Sequence, residues 1–322
     1  MVYTLKNFGN VVMFFSYFLE SIRTNFLDNF FLLITEFGGE TITYIFLFAV
    51  IWCMDIDFSR FFVIVNFYSI GTNIFLKNLF CVPRPWILDP NFTVVEGAIE
   101  GATGYSFPSG HTATAVSVFG SFTTRFRSIL IRCVLITLIV LVSISRIYLG
   151  VHTIWDVLAS LVLGTIIILS INIFLKYTNI HDKYLYLISF ACFYSLIIVI
   201  VLNCLPVLTG YSAEMTTQGI KNAYTILGLS FGYLVSYIIN YRYETSASFA
   251  IQLIKVIFGA VFVLGLKEGL KYLFDLVLPD LMFTSAIRYF IVVLFAVNIW
   301  PLTFKWFNKI EYNFRSIKNA KS

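Results

Sequence analysis

The chain has 322 residues, of which 59% are hydrophobic and only 12% charged, with a formal net charge of +5 and a mean hydropathy of +0.87. Soluble domains carry roughly 45–50% apolar residues, so this excess excludes an ordinary water-soluble globule and points to lipid as the solvent. The five cysteines, Cys53, Cys81, Cys133, Cys192 and Cys204, are odd in number and irregularly spaced, which argues against a disulfide framework or a zinc pattern.

Taken in chain order, residues 1–40 read as an interfacial amphipathic segment. Val11–Leu19 is apolar, but Glu20, Arg23 and Asp28 follow at once, which suits a helix lying in the interface better than one crossing it. Only Lys6 precedes the apolar run and no small-residue cleavage site follows it, so it does not read as a signal peptide. A membrane helix needs roughly 20 mostly apolar residues. Nine stretches come near that, at about 41–54, 59–77, 109–124, 129–146, 153–175, 184–205, 221–240, 249–266 and 285–304. These runs are too long for barrel strands. The expected fold is an all-α integral membrane protein, a multi-span helical bundle of about nine transmembrane helices. Its expected parts are the segment 1–40, a motif-bearing core 41–178, and further helices with a basic tail over 179–322.

The placement of charge predicts the topology. Arg60, Arg125, Arg127, Arg132, Lys176, Lys183, Arg242 and the tail residues Lys305, Lys309, Arg315, Lys318 and Lys321 fall on one side of the predicted spans. Cytoplasmic loops carry the excess of Lys and Arg. The tail is therefore expected in the cytoplasm, the N-terminus outside, and the polar motifs on the outer face of a cell membrane (periplasmic or extracellular, or lumenal in a eukaryote). This basic bias is a topology signal, and no nucleic-acid partner is expected. In the last third, Lys255, Lys267, Glu268, Lys271, Asp275 and Arg288 read as side chains snorkelling at helix ends, with lining of a substrate path as the other reading.

Three polar clusters stand out against this apolar background, where ionisable side chains are costly and mark function. The first is Lys77 followed by Arg84, which is mounted stiffly between Pro83 and Pro85. The second is Pro108-Ser109-Gly110-His111, at the start of an apolar run. Ser109 suits a helix N-cap, Gly110 lets backbone approach closely, and free N–H groups at a helix start bind anions. The third is Ser145-Arg146, then His152 and Asp156. Four residues apart, His152 and Asp156 would share one face if both were helical. A carboxylate on one ring nitrogen fixes the tautomer and leaves the other as a lone pair. Together the clusters hold cations for a phosphate, an imidazole to attack it and a second imidazole to donate a proton. The polar connection 86–107, with Trp86, Asp89, Glu96 and Glu100, should cap them from outside. Cys81 reads as a packing residue and His181 as a solvated loop residue.

Lys-x6-Arg-Pro, Pro-Ser-Gly-His and Ser-Arg-x5-His-x3-Asp resemble the three-part signature of the type 2 phosphatidic-acid phosphatase superfamily over roughly residues 41–175. The resemblance implies a membrane phosphatase that needs no metal or cofactor and acts on a lipid phosphate or isoprenoid diphosphate held in the bilayer. It implies that His152 is the nucleophile forming a phosphohistidine, His111 the general acid and Asp156 the orienting carboxylate. Lys77, Arg84, Ser109, Gly110 and Arg146 are implied as the phosphate-binding set. The long C-terminal part resembles the extended glucose-6-phosphatase-like and sphingosine-phosphate-phosphatase-like members. A soluble phosphoester such as glucose 6-phosphate, phosphate transfer to another acceptor, and a transporter or scaffold on the same fold stay open as rival readings.

Overall fold

The computed structural model describes residues 13–209, 213–240, 247–279 and 281–307, together with Tyr243, Thr245 and Lys309. The first twelve residues, Arg242 and the rest of the basic tail lie outside the described residues. The described chain is helical and forms no strand. In order come α1 (13–21), α2 (Asn25–Thr35), α3 (Glu40–Cys53), α4 (Ile56–Phe80), α5 (Pro85–Leu88), α6 (Gly110–Ala115), α7 (Ser121–Arg125), α8 (Ile129–Tyr148), α9 (Ile154–Tyr177), α10 (Lys183–Thr209), α11 (Ala213–Ile239), α12 (Phe249–Val277) and α13 (Thr284–Leu294).

Among the described residues, six helices are long and apolar enough to cross a membrane: Ile129–Tyr148, Ile154–Tyr177, Lys183–Cys204, Thr217–Ile239, Phe249–Val277 and Thr284–Phe307. A seventh is added if the broken pair Asn25–Gly38 and Glu40–Cys53 is one span. The expected stretches at 59–77 and 109–124 are helical too, in α4 and in the continuous helix from α6 to α7. They are more polar or shorter than the other six. The chain is a multi-pass membrane protein.

Contacts divide the chain into two units, each assembled from separated stretches. The first is drawn from Met1–Thr43, Val65–Thr178 and Ile200–Ala223, and holds all three motifs. In lipid there is little hydrophobic drive between helices, so close packing of small residues and polar contacts take its place. Gly164 of α9 shows this: a Cβ there would stand 2.6 Å from Val116 Cγ1. Val116 opens a π-turn, Val116–Gly120, between α6 and α7. Ser117 Oγ in that turn donates to Asn66 Oδ1 of α4 at 2.9 Å.

α1 and α2 do not stand apart from this unit. Arg23 Nε donates to the Tyr148 carbonyl at 2.9 Å and its Nη1 to the Thr93 carbonyl at 2.9 Å. Glu20 accepts from Thr93 N at 2.8 Å, Tyr148 Oη donates to Asp28 at 2.7 Å, and Tyr17 hydrogen-bonds Asp89. Gly150, at φ +83, leaves room for Arg23: a Cβ there would stand 2.8 Å from Arg23 Nη2. Yet Phe14, Phe18, Phe26 and Leu33 stay exposed, so the segment keeps an apolar outer face while its polar residues tie it to the core.

The second unit is drawn from Tyr44–Ile64, Asn179–Val199 and Tyr224–Ser322. Its centre is aromatic. Phe48 and Trp52 stack at 4.9 Å between centroids, a geometry worth roughly 0.5–1.5 kcal/mol beyond burial. Trp52 Nε1 donates at 2.8 Å to the Ala296 carbonyl, which lies in a second π-turn, Phe295–Ile299. Pro301 follows; it has no N–H to give to the preceding turn, and the helix widens there. Lys255 departs from the snorkelling expectation. It is 0% exposed and its Nζ lies 4.6 Å from the centre of the Phe304 ring. Six residues into α12, the side chain is held by packing before it can reach an interface.

Candidate active site

Each motif sits where local sequence places it. α4 carries Lys77 in its last turn. Arg84 is extended, at φ −71 and ψ 157, with Pro85 as the first residue of α5. Ser109 caps α6, its Oγ accepting from Thr112 N at 3.4 Å. Gly110 and His111 are thus the first two residues of that helix. A Cβ on Gly110 would lie 3.7 Å from Asn73 Oδ1 and 4.0 Å from Lys77 Nζ, so the lysine reaches the helix start.

The third motif differs from the one-face expectation. His152 is not helical; it lies in the turn before Thr153, the N-cap of α9. Thr153 and Asp156 form a reciprocal capping box. Asp156 Oδ2 accepts from Thr153 N at 2.7 Å, and Thr153 Oγ1 accepts from Asp156 N at 3.4 Å. The cap ends the helix between the two residues, yet the pair still forms, with His152 Nδ1 3.3 Å from Asp156 Oδ2. One carboxylate therefore starts the helix and holds the ring.

Arg84 determines which ring nitrogen carries the lone pair. Its Nη1 lies 2.9 Å from His152 Nε2. A guanidinium only donates, so Nε2 is the acceptor and Nδ1 carries the proton toward Asp156. Arg84 is itself fixed by carbonyls: Nε donates to Gly104 at 3.0 Å, Nη1 to Val151 at 2.9 Å and Nη2 to Thr103 at 2.8 Å. Thr103 and Gly104 belong to the connection 86–107, and a Cβ on Gly101 would stand 4.0 Å from His111 Cε1. That connection lies over the site.

Arg84, Arg146, His152 and Asp156 are each at most 2% exposed, whereas Lys77, Gly110 and His111 are half-buried. His111 lies within electrostatic reach of Arg146, His152, Lys77 and Arg84. Burial, reinforced by the charges of Arg84, Lys77 and Arg146, holds the His152 imidazole well below its ordinary pKa. It is neutral at neutral pH. Burial lowers Arg84 to about 10, which leaves it cationic there. All eight residues singled out in the sequence, His152, His111, Asp156, Lys77, Arg84, Ser109, Gly110 and Arg146, come together in the first unit.

Some neighbours were not legible beforehand. Ser106, fully buried, donates to Asp156 Oδ2 at 2.6 Å and lies 3.4 Å from His152 Nδ1. Ser160 Oγ donates to the Ser109 carbonyl at 2.8 Å, and Ser109 N donates to the Asp156 carbonyl at 3.1 Å. Serines are common enough that position alone did not single these out. Beside the polar residues runs an apolar groove of about 470 Å³, lined by Leu76, Phe80, Phe107, Trp155, Leu158 and Leu163 among others. Leu76 precedes Lys77, Phe107 precedes the Pro-Ser-Gly-His motif and Trp155 precedes Asp156.

Comparison with known proteins gives two family matches. Residues 58–180 match the PAP2 superfamily, and residues 224–311 match its "PAP2 superfamily phosphatase, transmembrane extension". A protein of Dictyostelium discoideum described as a probable sphingosine-1-phosphate phosphatase is 31% identical over 172 residues, covering 49% of this chain and 41% of the relative. The match thus spans less than half of that relative's length. Among solved structures, the crystal structure of Aquifex aeolicus LpxE is 24% identical, with a TM-score of 0.46, covering 52% of this chain and 96% of that one.

Proposed function

This chain belongs to the PAP2 superfamily, and on that premise we propose that it is a membrane phosphatase hydrolysing a lipid phosphate through a phosphohistidine on His152. The observation that carries the reading is the His152 ring itself. Asp156 accepts a hydrogen bond from Nδ1–H, Arg84 faces Nε2, and burial keeps the ring neutral.

The chemistry follows from that geometry. A phosphate oxygen competes for Arg84 Nη1 and releases the Nε2 lone pair. Nε2 attacks phosphorus in line, a P–N bond forms and the bond to the lipid oxygen breaks. His111, in its protonated form, gives its proton to that oxygen as general acid. Asp156 stabilises the positive charge gained by the His152 ring. Lys77, Arg84, Arg146 and the N–H groups at Gly110 and His111 stabilise the equatorial oxygens, which is most of what phosphoryl transfer requires. Water then attacks phosphorus, His111 takes its proton, the P–N bond breaks and phosphate leaves. No step calls for a metal.

A lipid substrate is supported by the apolar groove, whose walls alternate in sequence with the polar motifs, and by the name of the Dictyostelium relative. An isoprenoid diphosphate would use the same groove. We place the site at the face away from the cytoplasm, in a bundle of about nine spans with the tail inside. His111, Arg146 and Asp156 lie at one end of their helices, and Arg125, Arg132 and Lys176 lie at the opposite ends.

The test is phosphate release by purified protein in detergent with EDTA present. Sphingosine 1-phosphate, phosphatidate, an isoprenoid diphosphate and glucose 6-phosphate serve as alternative substrates. The lipids should be hydrolysed well ahead of the sugar, and vanadate should inhibit. Faster release from glucose 6-phosphate would move the assignment to soluble phosphoesters. Ala159 also lines the groove, and Ala159→Trp, which fills it, should raise KM for long-chain substrates and leave p-nitrophenyl phosphate hydrolysis nearly unchanged.

A further inference from the structure

The N-terminal segment reaches the reacting centre at two points. Thr35 ends α2 and is buried, and its Oγ1 accepts from Arg146 Nη1 at 2.7 Å. Three residues on, in the short turn Glu36–Gly38, Gly38 lies against the second motif. A Cβ on Gly38 would stand 2.7 Å from the His111 carbonyl oxygen, 3.1 Å from His111 Cβ and 2.8 Å from Val142 Cγ1. These residues lie outside both family matches, which cover 58–180 and 224–311.

Arg146 is 1% exposed, and its Nε and Nη2 find no hydrogen-bond partner among the described residues. A buried carboxylate on Nη1 would neutralise the guanidinium and compete with any anion brought to it. Thr35 is neutral. Its hydroxyl oxygen fixes the guanidinium plane through Nη1 and leaves the charge and two further donor nitrogens, Nε and Nη2, for a ligand. Glu36 attracts Arg146 from a distance, but its side chain is exposed and solvent screens it.

We propose that residues Thr35–Gly38 complete the phosphate site, with Thr35 as a positioning residue for Arg146 and Gly38 as the seat that sets the backbone of His111. This builds on the proposed phosphatase reading but needs only an oxyanion at Arg146. This end of the interfacial amphipathic segment is then a working part of the site.

The experiment measures orthovanadate affinity on the purified full chain, by protection against thermal unfolding, alongside kcat and KM for lipid phosphate. Losing a hydrogen bond to a charged group is worth roughly tenfold or more. Thr35→Val should weaken vanadate binding and raise KM by about that factor, while the melting temperature without vanadate stays near wild type. Thr35→Ser, which keeps the hydroxyl, should restore the affinity to within about threefold. Gly38→Ala should lower kcat more than it raises KM. Should Thr35→Val not fold, Thr35→Ala carries the same expectation. Wild-type affinity in both Thr35→Val and Thr35→Ala, or a Thr35→Ser variant as weak as Thr35→Val, overturns the inference. A wild-type protein that binds no vanadate overturns it together with the proposed activity. Thr35-dependent vanadate binding without hydrolysis of any lipid phosphate sinks the activity and leaves the inference standing.

Discussion

Both units bury cationic side chains, and they treat them differently. In the second unit Lys255 is shut in against the face of Phe304, inside an aromatic cluster with Trp52 and Trp300. In the motif unit Arg84 is held by three carbonyls and an imidazole, and Arg146, among the described residues, by one hydroxyl with two donor nitrogens left over. Burial of charge in a membrane protein is an argument for function by default. Here the partners discriminate better than the burial. A cation over a ring is balanced by a diffuse quadrupole. A guanidinium fixed in orientation, next to a neutral imidazole and a helix start, is prepared for an anion. The two units teach that convergence on one point marks the site.

That contrast can be broken or sharpened by substitution. The largest effect is expected for His152→Ala. It should lower phosphate release by at least about 10⁴-fold, because removing the proposed nucleophile costs no less than misorienting it. Trapping of labelled phosphate on protein should vanish with it, and a variant keeping a tenth of wild-type activity would end the nucleophile assignment. His111→Ala should lose roughly 10²–10⁴-fold in kcat, and less so for a substrate whose leaving group needs no proton, such as p-nitrophenyl phosphate.

Arg84→Gln should cost roughly 10²–10³-fold, the usual loss on removing a preorganised donor, and it should also change the pH profile. In the wild type the His152 pKa is depressed. The neutral imidazole therefore persists as pH falls through about 6.5, the ordinary histidine value, and the acid limb of kcat/KM should lie below that. Removing the Arg84 charge lifts the pKa, so the limb should move to higher pH. A limb that moves down, or stays in place, contradicts the electrostatic account. Ser106→Ala removes one donor from Asp156 and should lower kcat by about tenfold, with Ser106→Thr recovering part of it. The smallest effect belongs to the other unit: Lys255→Met should change phosphate release by less than about threefold, since replacing a buried charge by an apolar side chain of similar volume is often neutral. A loss comparable to that of Arg84→Gln would show that the two units share the chemistry.

Much of this was legible beforehand. Ser109 and Thr153 lie one residue before their helices, and cap chemistry depends only on neighbours within a turn. The prolines around Arg84 act in the same local way. The pairing of His152 with Asp156 was legible as well, although by a different geometry: the spacing suggested one helical face, and the capping box instead put the histidine in the turn ahead of the helix. Reading Lys255 as a snorkelling side chain failed because snorkelling depends on distance to an interface. That distance is set by how α12 packs.

By itself, the sequence determined the solvent, the helical class and the kinds of side chain at the site. Apolar runs of membrane length allow few other structures, and the motifs carry their own local order. Only the tertiary structure decided the working details: the tautomer of His152, the hold of Ser106 on Asp156, and the arrival of Thr35 at Arg146. Thr35 and Arg146 are 111 positions apart. No local rule links such residues, because a hydrogen bond between them exists only once helices from distant parts of the chain are packed side by side.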